Sequence, residues 1–219
     1  MDRLIELLPR LWVAAFETVY MVGIAMVVGG LLGLALGLGL YLSRSGNLLQ
    51  NRVVFTVLNL LVNTFRPIPF IILLAAVQPL ARIVVGTGIG NSAAIFGLVV
   101  GSVFAIGRIV EQNLLTVRPG VIEAARSVGA GNLRIIFTIL IPEALGPLIL
   151  GYTFIFIAVT DMSAVAGLLG GGGLGNFAVQ YGYRLFDPVV TWAAVLIIIV
   201  LVQFTQVIGN TLARRVLRR

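Results

Sequence analysis

Long unbroken apolar runs constrain this chain more than any other feature. A helix needs about 20 mostly apolar residues to cross a bilayer, and five stretches of the sequence qualify: 13–42, 53–80, 92–110, 144–169 and 189–212. The second is interrupted by Arg66-Pro67-Ile68-Pro69. Only 11% of the residues are charged, where a soluble domain carries about a quarter. The expected fold is an all-α membrane protein with five transmembrane helices, forming a single domain over 1–219. The first ten residues mix Asp2, Arg3, Glu6 and Arg10. They lack the basic, then apolar, then small pattern of a signal peptide, so no cleavage is expected.

The basic residues are all arginine and they orient the spans. With the N-terminus outside, inner segments hold Arg44, Arg52, Arg108, Arg118, Arg126, Arg134, Arg214, Arg215, Arg218 and Arg219. Outer segments hold Arg3, Arg10, Arg82 and Arg184, and Arg66 lies inside a span. Ten against four predicts N-terminus out and C-terminus in. The formal charge of +7 therefore reflects inner loops rather than a nucleic-acid groove. Cys, His and Lys are absent. That excludes disulfides, Cys/His zinc sites, His-activated nucleophiles and the lysine of a Walker A loop. No metal site or catalytic residue is expected.

Gly29, Gly33 and Gly37 recur every fourth residue and predict a face for close helix packing. General glycine richness is the plain alternative.

The connection 111–142 is too long for a tight turn. Pro119 stands where a helix can begin. Val121, Ile122, Ala125 and Val128 then form an apolar stripe at helical spacing. Gly129 and Gly131 interrupt it, Asn132 is placed to cap a second helix, and Pro142 precedes the fourth span. The other face offers Glu123, Ala124 and Arg126. Small side chains allow close approach, and a carboxylate offers an anchor for a partner's cation. The plain alternative is an interfacial helix held by arginines.

Glu123-Ala124-Ala125, then Gly129, then Ile139-Leu140-Ile141-Pro142 resembles the EAA motif of ATP-binding-cassette importer permeases. Ile141 stands where that pattern has Leu. Phe65 to Leu74, the run Gly170 to Gly175 and Gln180-Tyr181-Gly182-Tyr183 look like the methionine-uptake type. The resemblance covers nearly the whole chain. It implies a cytoplasmic coupling helix that seats in the ATPase, with Glu123, Ala124, Ala125, Arg126, Gly129 and Pro142 as coupling residues. It also implies a homodimer in the bacterial inner membrane, a separate ATPase dimer that binds ATP and Mg, an extracytoplasmic binding protein, and no cofactor on this chain. The substrate would be methionine or another small amino acid. Ion-coupled secondary transport through Asp161 and Glu17 is the rival reading, and a non-transporting anchor is a second. The EAA-like loop and the lack of an internal repeat count against the first, and a membrane-embedded Arg66 against the second.

Inside the membrane, Arg66 and Asp161 each fall about 20 Å along their spans by helical rise. They are expected to pair, within a subunit or across a dimer. Contact of Arg66 with a substrate carboxylate, or snorkelling, are the alternatives. Pro67 and Pro69 are expected to kink the span. Met162, Ala164, Val165 and Leu168 are candidates for an apolar gate, with lipid-facing packing as the plain alternative. Tyr181, Tyr183 and Trp192 are expected in the interfacial belt, or against a docked binding protein.

Overall fold

The computed structural model describes residues 2–217. Arg218 and Arg219, two of the arginines assigned to the inner side, lie outside the described residues. The described residues are helical nearly throughout. In chain order they form α1 (Asp2–Ser43), α2 (Arg52–Phe65), α3 (Phe70–Val85), α4 (Asn91–Leu114), α5 (Pro119–Ser127), α6 (Asn132–Ile135), α7 (Ile141–Ala166), α8 (Gly173–Phe177) and α9 (Pro188–Leu217). A π-helical turn, Ile136–Leu140, joins α6 to α7. Pro142 lacks the N–H that would bond the Thr138 carbonyl, so a widened turn just before it is the expected adjustment.

Four helical runs are long and apolar enough to cross a membrane, and a fifth span results if α2 and α3 count together. The expected second span is thus a broken one. Asn51 starts α2 by accepting from the Val53 and Val54 amides at 3.0 and 3.1 Å. The helix stops at Phe65 because Pro67 and Pro69 cannot donate to the carbonyls of its last turn. Pro69 is extended (φ −55°, ψ 130°). Its carbonyl accepts from Ile72 and Leu73, starting α3 afresh. Two helical runs start well before the apolar stretches they carry. The first helix begins at Asp2 rather than near 13, with Pro9 accommodated in its first turns. The helical run that carries the fourth span begins at Asn132.

The chain forms two compact units, and their boundaries fall inside the long helices and at the break between α2 and α3. One comprises the chain up to Gly29, Ile68–Ser102 and Phe156–Gln206. Its core gathers Leu7, Leu11 and Ala14 of α1, Leu174 and Phe177 of α8, and Val190 and Ala194 of α9. The other comprises Gly30–Pro67, Val103–Ile155 and the chain from Val207. There Leu48, Ala125, Ile135 and Ile136 form a cluster against Leu42 and Ile122.

The glycine face of α1 packs on α4. In the first unit Gly29 meets Ser102. In the second, a Cβ on Gly33 would lie 2.6 Å from Ile106 Cβ, and one on Gly37 would lie 2.5 Å from Val110 Cβ and 2.6 Å from the Gly107 carbonyl. The partners also recur every fourth residue, so close packing, not glycine richness, accounts for the spacing. Gly37→Ala is expected to cost about 1–3 kcal/mol, because backbone oxygen cannot move aside as a side chain can. A thermal melt of the detergent-purified variant equal to that of the parent would refute this.

Candidate functional site

Helix α5 is built from its two ends. Pro119 begins it, where a missing N–H costs nothing. At the other end Gly129 takes φ +77°. The Gly129 amide donates to Arg126 O at 2.9 Å and the Ala130 amide to Ala125 O at 3.1 Å. This pair of bonds is the Schellman arrangement, and its left-handed residue favours glycine. Gly129→Ala should cost about 1 kcal/mol, seen as faster amide exchange confined to α5 and the turn after it. Exchange unchanged across 119–131 would contradict this.

Ile122 and Ala125 turn inward onto Leu48 and Ile135. Val121, Glu123, Ala124, Arg126 and Val128 are exposed, Val128 by 81%. The expected apolar stripe is therefore only half right. Val121, Ala124 and Val128 form a second apolar face at i, i+3 and i+7 that points away from the protein. Glu123 and Arg126 flank it. Asn132 also departs from expectation. Gly131 occupies the cap position of α6 without a side-chain bond, and Asn132 is the first helical residue. Pro142 stands exposed at the start of α7, and Leu133 and Phe137 are exposed on the approach to it.

A buried ionic cluster lies in the same unit. Glu111 is 1% exposed, and its two carboxylate oxygens take Arg44 Nη1 at 3.4 Å and Arg108 Nη1 at 2.5 Å. Arg108 Nη2 also donates to Asn59 Oδ1 at 2.8 Å and Asn63 Oδ1 at 2.7 Å. The cluster ties the end of α1, the middle of α2 and the last turns of α4. None of these roles was read from the sequence, where Arg44 and Arg108 counted only toward topology. The one local signal is the i, i+3 spacing of Arg108 and Glu111.

In the first unit the glycine run forms a tight reversal. Gly170, Gly172 and Gly173 have φ of +88°, +78° and +75°. Gly175 comes against the Ala164 backbone, and a Cβ on Gly167 would lie 2.6 Å from the Asn176 nitrogen. Two residues of α1 hold the start of α8. The Gly173 amide donates to Glu17 Oε2 at 2.7 Å and the Leu174 amide to Thr18 Oγ1 at 2.9 Å. The Glu17 carboxylate is thus engaged in structure, which sequence reasoning missed because its partner is 156 residues away.

Of the gate candidates, Met162, Ala164 and Val165 are half-buried and Leu168 is exposed beside the reversal. Arg66, Pro67 and Pro69 are exposed at the break between α2 and α3, and Asp161 is exposed on α7. Among the described residues neither Arg66 nor Asp161 enters an ion pair. Of the aromatics, Tyr183 and Trp192 are exposed, whereas Tyr181 is half-buried and accepts from Arg10 Nη1 at 3.0 Å.

These features define an all-helical membrane protein that presents a short, rigidly mounted helix with an apolar outer face. The chain belongs to the family of binding-protein-dependent transport system inner membrane components, which matches residues 29–218. It is 41% identical over 203 residues to the probable D-methionine transport system permease protein MetI of Vibrio cholerae, covering 93% of this chain and 90% of that one. It is 42% identical over 212 residues to the methionine import system permease protein MetP of Bacillus subtilis, covering 97% and 96%. Among solved structures it resembles an inward-facing MetNI methionine ABC transporter, with TM-score 0.92, 38% identity, and 94% and 95% of the two chains covered. An amino acid ABC transporter shares the fold, with TM-score 0.78 at 22% identity over 97% of this chain and 96% of that one.

Proposed function

We propose that this chain is the transmembrane permease subunit of an ATP-driven methionine importer. The observation that carries the proposal is membership of the transport-system family over residues 29–218, and the outward apolar face of α5 suits a helix that another protein covers. Family membership and the methionine-related names of its relatives support the substrate.

Two copies form the translocation pathway, each contributing five spans with N-terminus out and C-terminus in. The arginine distribution supports that orientation. A cytoplasmic ATPase dimer binds ATP and Mg and seats α5 in a cleft. Val121, Ala124 and Val128 fill the cleft floor, while Glu123 and Arg126 meet charged groups at its edge. Ala125 anchors the helix from below, and Gly129 and Pro142 fix its end and the start of the next span. Motion of the ATPase subunits then moves α5 and the helices mounted on it as one body. An extracytoplasmic binding protein delivers methionine to the outer face. Met162, Ala164, Val165 and Leu168 form an apolar gate there, braced by the glycine reversal. Arg66, exposed just before Pro67, and Asp161, exposed on α7, are each available to a charge on a passing amino acid.

ATP hydrolysis by the assembled complex in nanodiscs tests this reading. Methionine-loaded binding protein should stimulate hydrolysis several-fold over the unloaded protein. Stimulation by another loaded amino acid alone would refute the methionine assignment. Hydrolysis indifferent to the binding protein would refute the importer reading.

A further inference from the structure

The loop between α1 and α2 encloses a cavity of about 550 Å³ lined by Arg44, Ser45, Gln50, Arg52 and Phe55 among others. The hydroxyls of Ser43 and Thr56 in its lining donate to backbone carbonyls, and the other polar groups are largely unspent donors. Arg44 gives one nitrogen to Glu111 and lies over the Phe55 ring, 5.9 Å from its centre. Its remaining N–H groups are uncommitted, and half of the side chain is exposed. Gln50 Oε1 accepts from the Gly46 amide at 3.0 Å, which leaves its NH₂ group free. Arg52 is exposed and has no carboxylate partner among the described residues. The first turn of α2 carries no acid to balance it.

Local charge does not cancel. Glu111 is buried and both of its oxygens are already taken by Arg44 and Arg108. Arg44, Arg52 and Arg108 against Glu111 leave two positive charges in excess, at the ends of two apolar helices. A concave set of donors with excess positive charge and no free carboxylate suits a phosphate group.

The surroundings choose the source of that phosphate. Val53, Val57 and Leu60 are all exposed and share one face of α2 that runs away from the cavity. An acyl chain can lie along that face while its headgroup sits at the cavity. Inorganic phosphate would gain nothing from it. We propose that this cavity is a headgroup site for an anionic phospholipid, with Arg44 and Arg52 on the phosphate, Ser45 and Gln50 at its edge, and the tail on α2. Basic pockets at the ends of transmembrane helices bind such headgroups elsewhere. The site also touches the docking machinery, because Leu48 of the same loop packs against Ala125 of α5.

The test is native mass spectrometry of the full-length chain in detergent, titrated with phosphatidylglycerol and, separately, phosphatidylcholine. Phosphatidylglycerol should bind about fivefold more tightly or better, and Arg52→Gln should remove about that factor. Arg184→Gln, at an exposed arginine that does not line the cavity, should change nothing. Among the described residues Arg52 makes no side-chain bond, so its variant should melt like the parent. If it does not, Ser45→Asp in the exposed loop is the second probe and should give the same loss. Equal binding of the two lipids, or unchanged preference in the cavity variants, would overturn the proposal. So would displacement of phosphatidylglycerol by inorganic phosphate at matched concentration, which would assign the cavity to free phosphate.

Discussion

Ala124→Arg should leave the chain folded in the membrane and abolish its association with the ATPase. Ala124 is exposed at the centre of the outward face of α5, between Val121 and Val128. An arginine there points into solvent in the free subunit and meets nothing. In the assembly it would be forced into the space that a methyl group occupied, and an uncompensated charge buried at an interface costs about 3 kcal/mol or more. That is on the order of a hundredfold in affinity. Co-purification with the ATPase measures it directly. Ala125→Arg should behave differently, because Ala125 is buried against Leu48 and Ile135. That variant should fail in folding before docking is tested. Normal co-purification of Ala124→Arg would remove α5 from the interface.

Glu111→Ala should destabilise the second unit by about 3–5 kcal/mol. The carboxylate is the shared partner of two guanidinium groups. Removing it strands Arg108, whose side chain is only 15% exposed. Arg44 is half exposed and can turn to water, so the larger part of the loss falls on Arg108. The thermal midpoint should drop on the order of 10 °C. Replacing both members, Glu111→Ala with Arg108→Met, should recover part of the loss, since no charge is then left buried alone. Asn59 and Asn63 would still lose their donor, so recovery should be incomplete. A midpoint unchanged in Glu111→Ala would show that the cluster is ornamental. A double variant as unstable as the single one would show that the asparagine contacts outweigh the ion pairs.

How much of this was legible depends on how far apart the interacting residues lie. Helix existence needed only local hydropathy: four of the five apolar stretches lie within long helical runs, and the other is split between α2 and α3. The α5 helix, its proline start and its glycine stop were equally local. The depth of the break at Arg66–Pro69 was underestimated, because one proline kinks a helix while two, spaced by a residue, remove enough donors to end it. The face of α5 was misread for a different reason. Helical periodicity finds apolar residues but does not say whether they face the protein or a missing partner. Val128 satisfies the pattern and yet points outward. The Glu111 cluster and the Glu17–Gly173 bond join residues from distant parts of the chain, and nothing local marks them except Arg108 beside Glu111. Arginines in this chain were read for topology, and that reading concealed their structural use. The expected pairing of Arg66 with Asp161, within a subunit or across a dimer, rests on helical rise, which gives depth but not azimuth.

The central claim is ATP-driven methionine import, and accumulation of labelled methionine in proteoliposomes tests it most directly. The vesicles hold this chain and its ATPase, with ATP on the ATPase side and the binding protein on the other. Uptake that requires ATP and the binding protein, and that excess unlabelled methionine competes away, is the predicted result. Uptake that proceeds without ATP on an ion gradient would contradict the account.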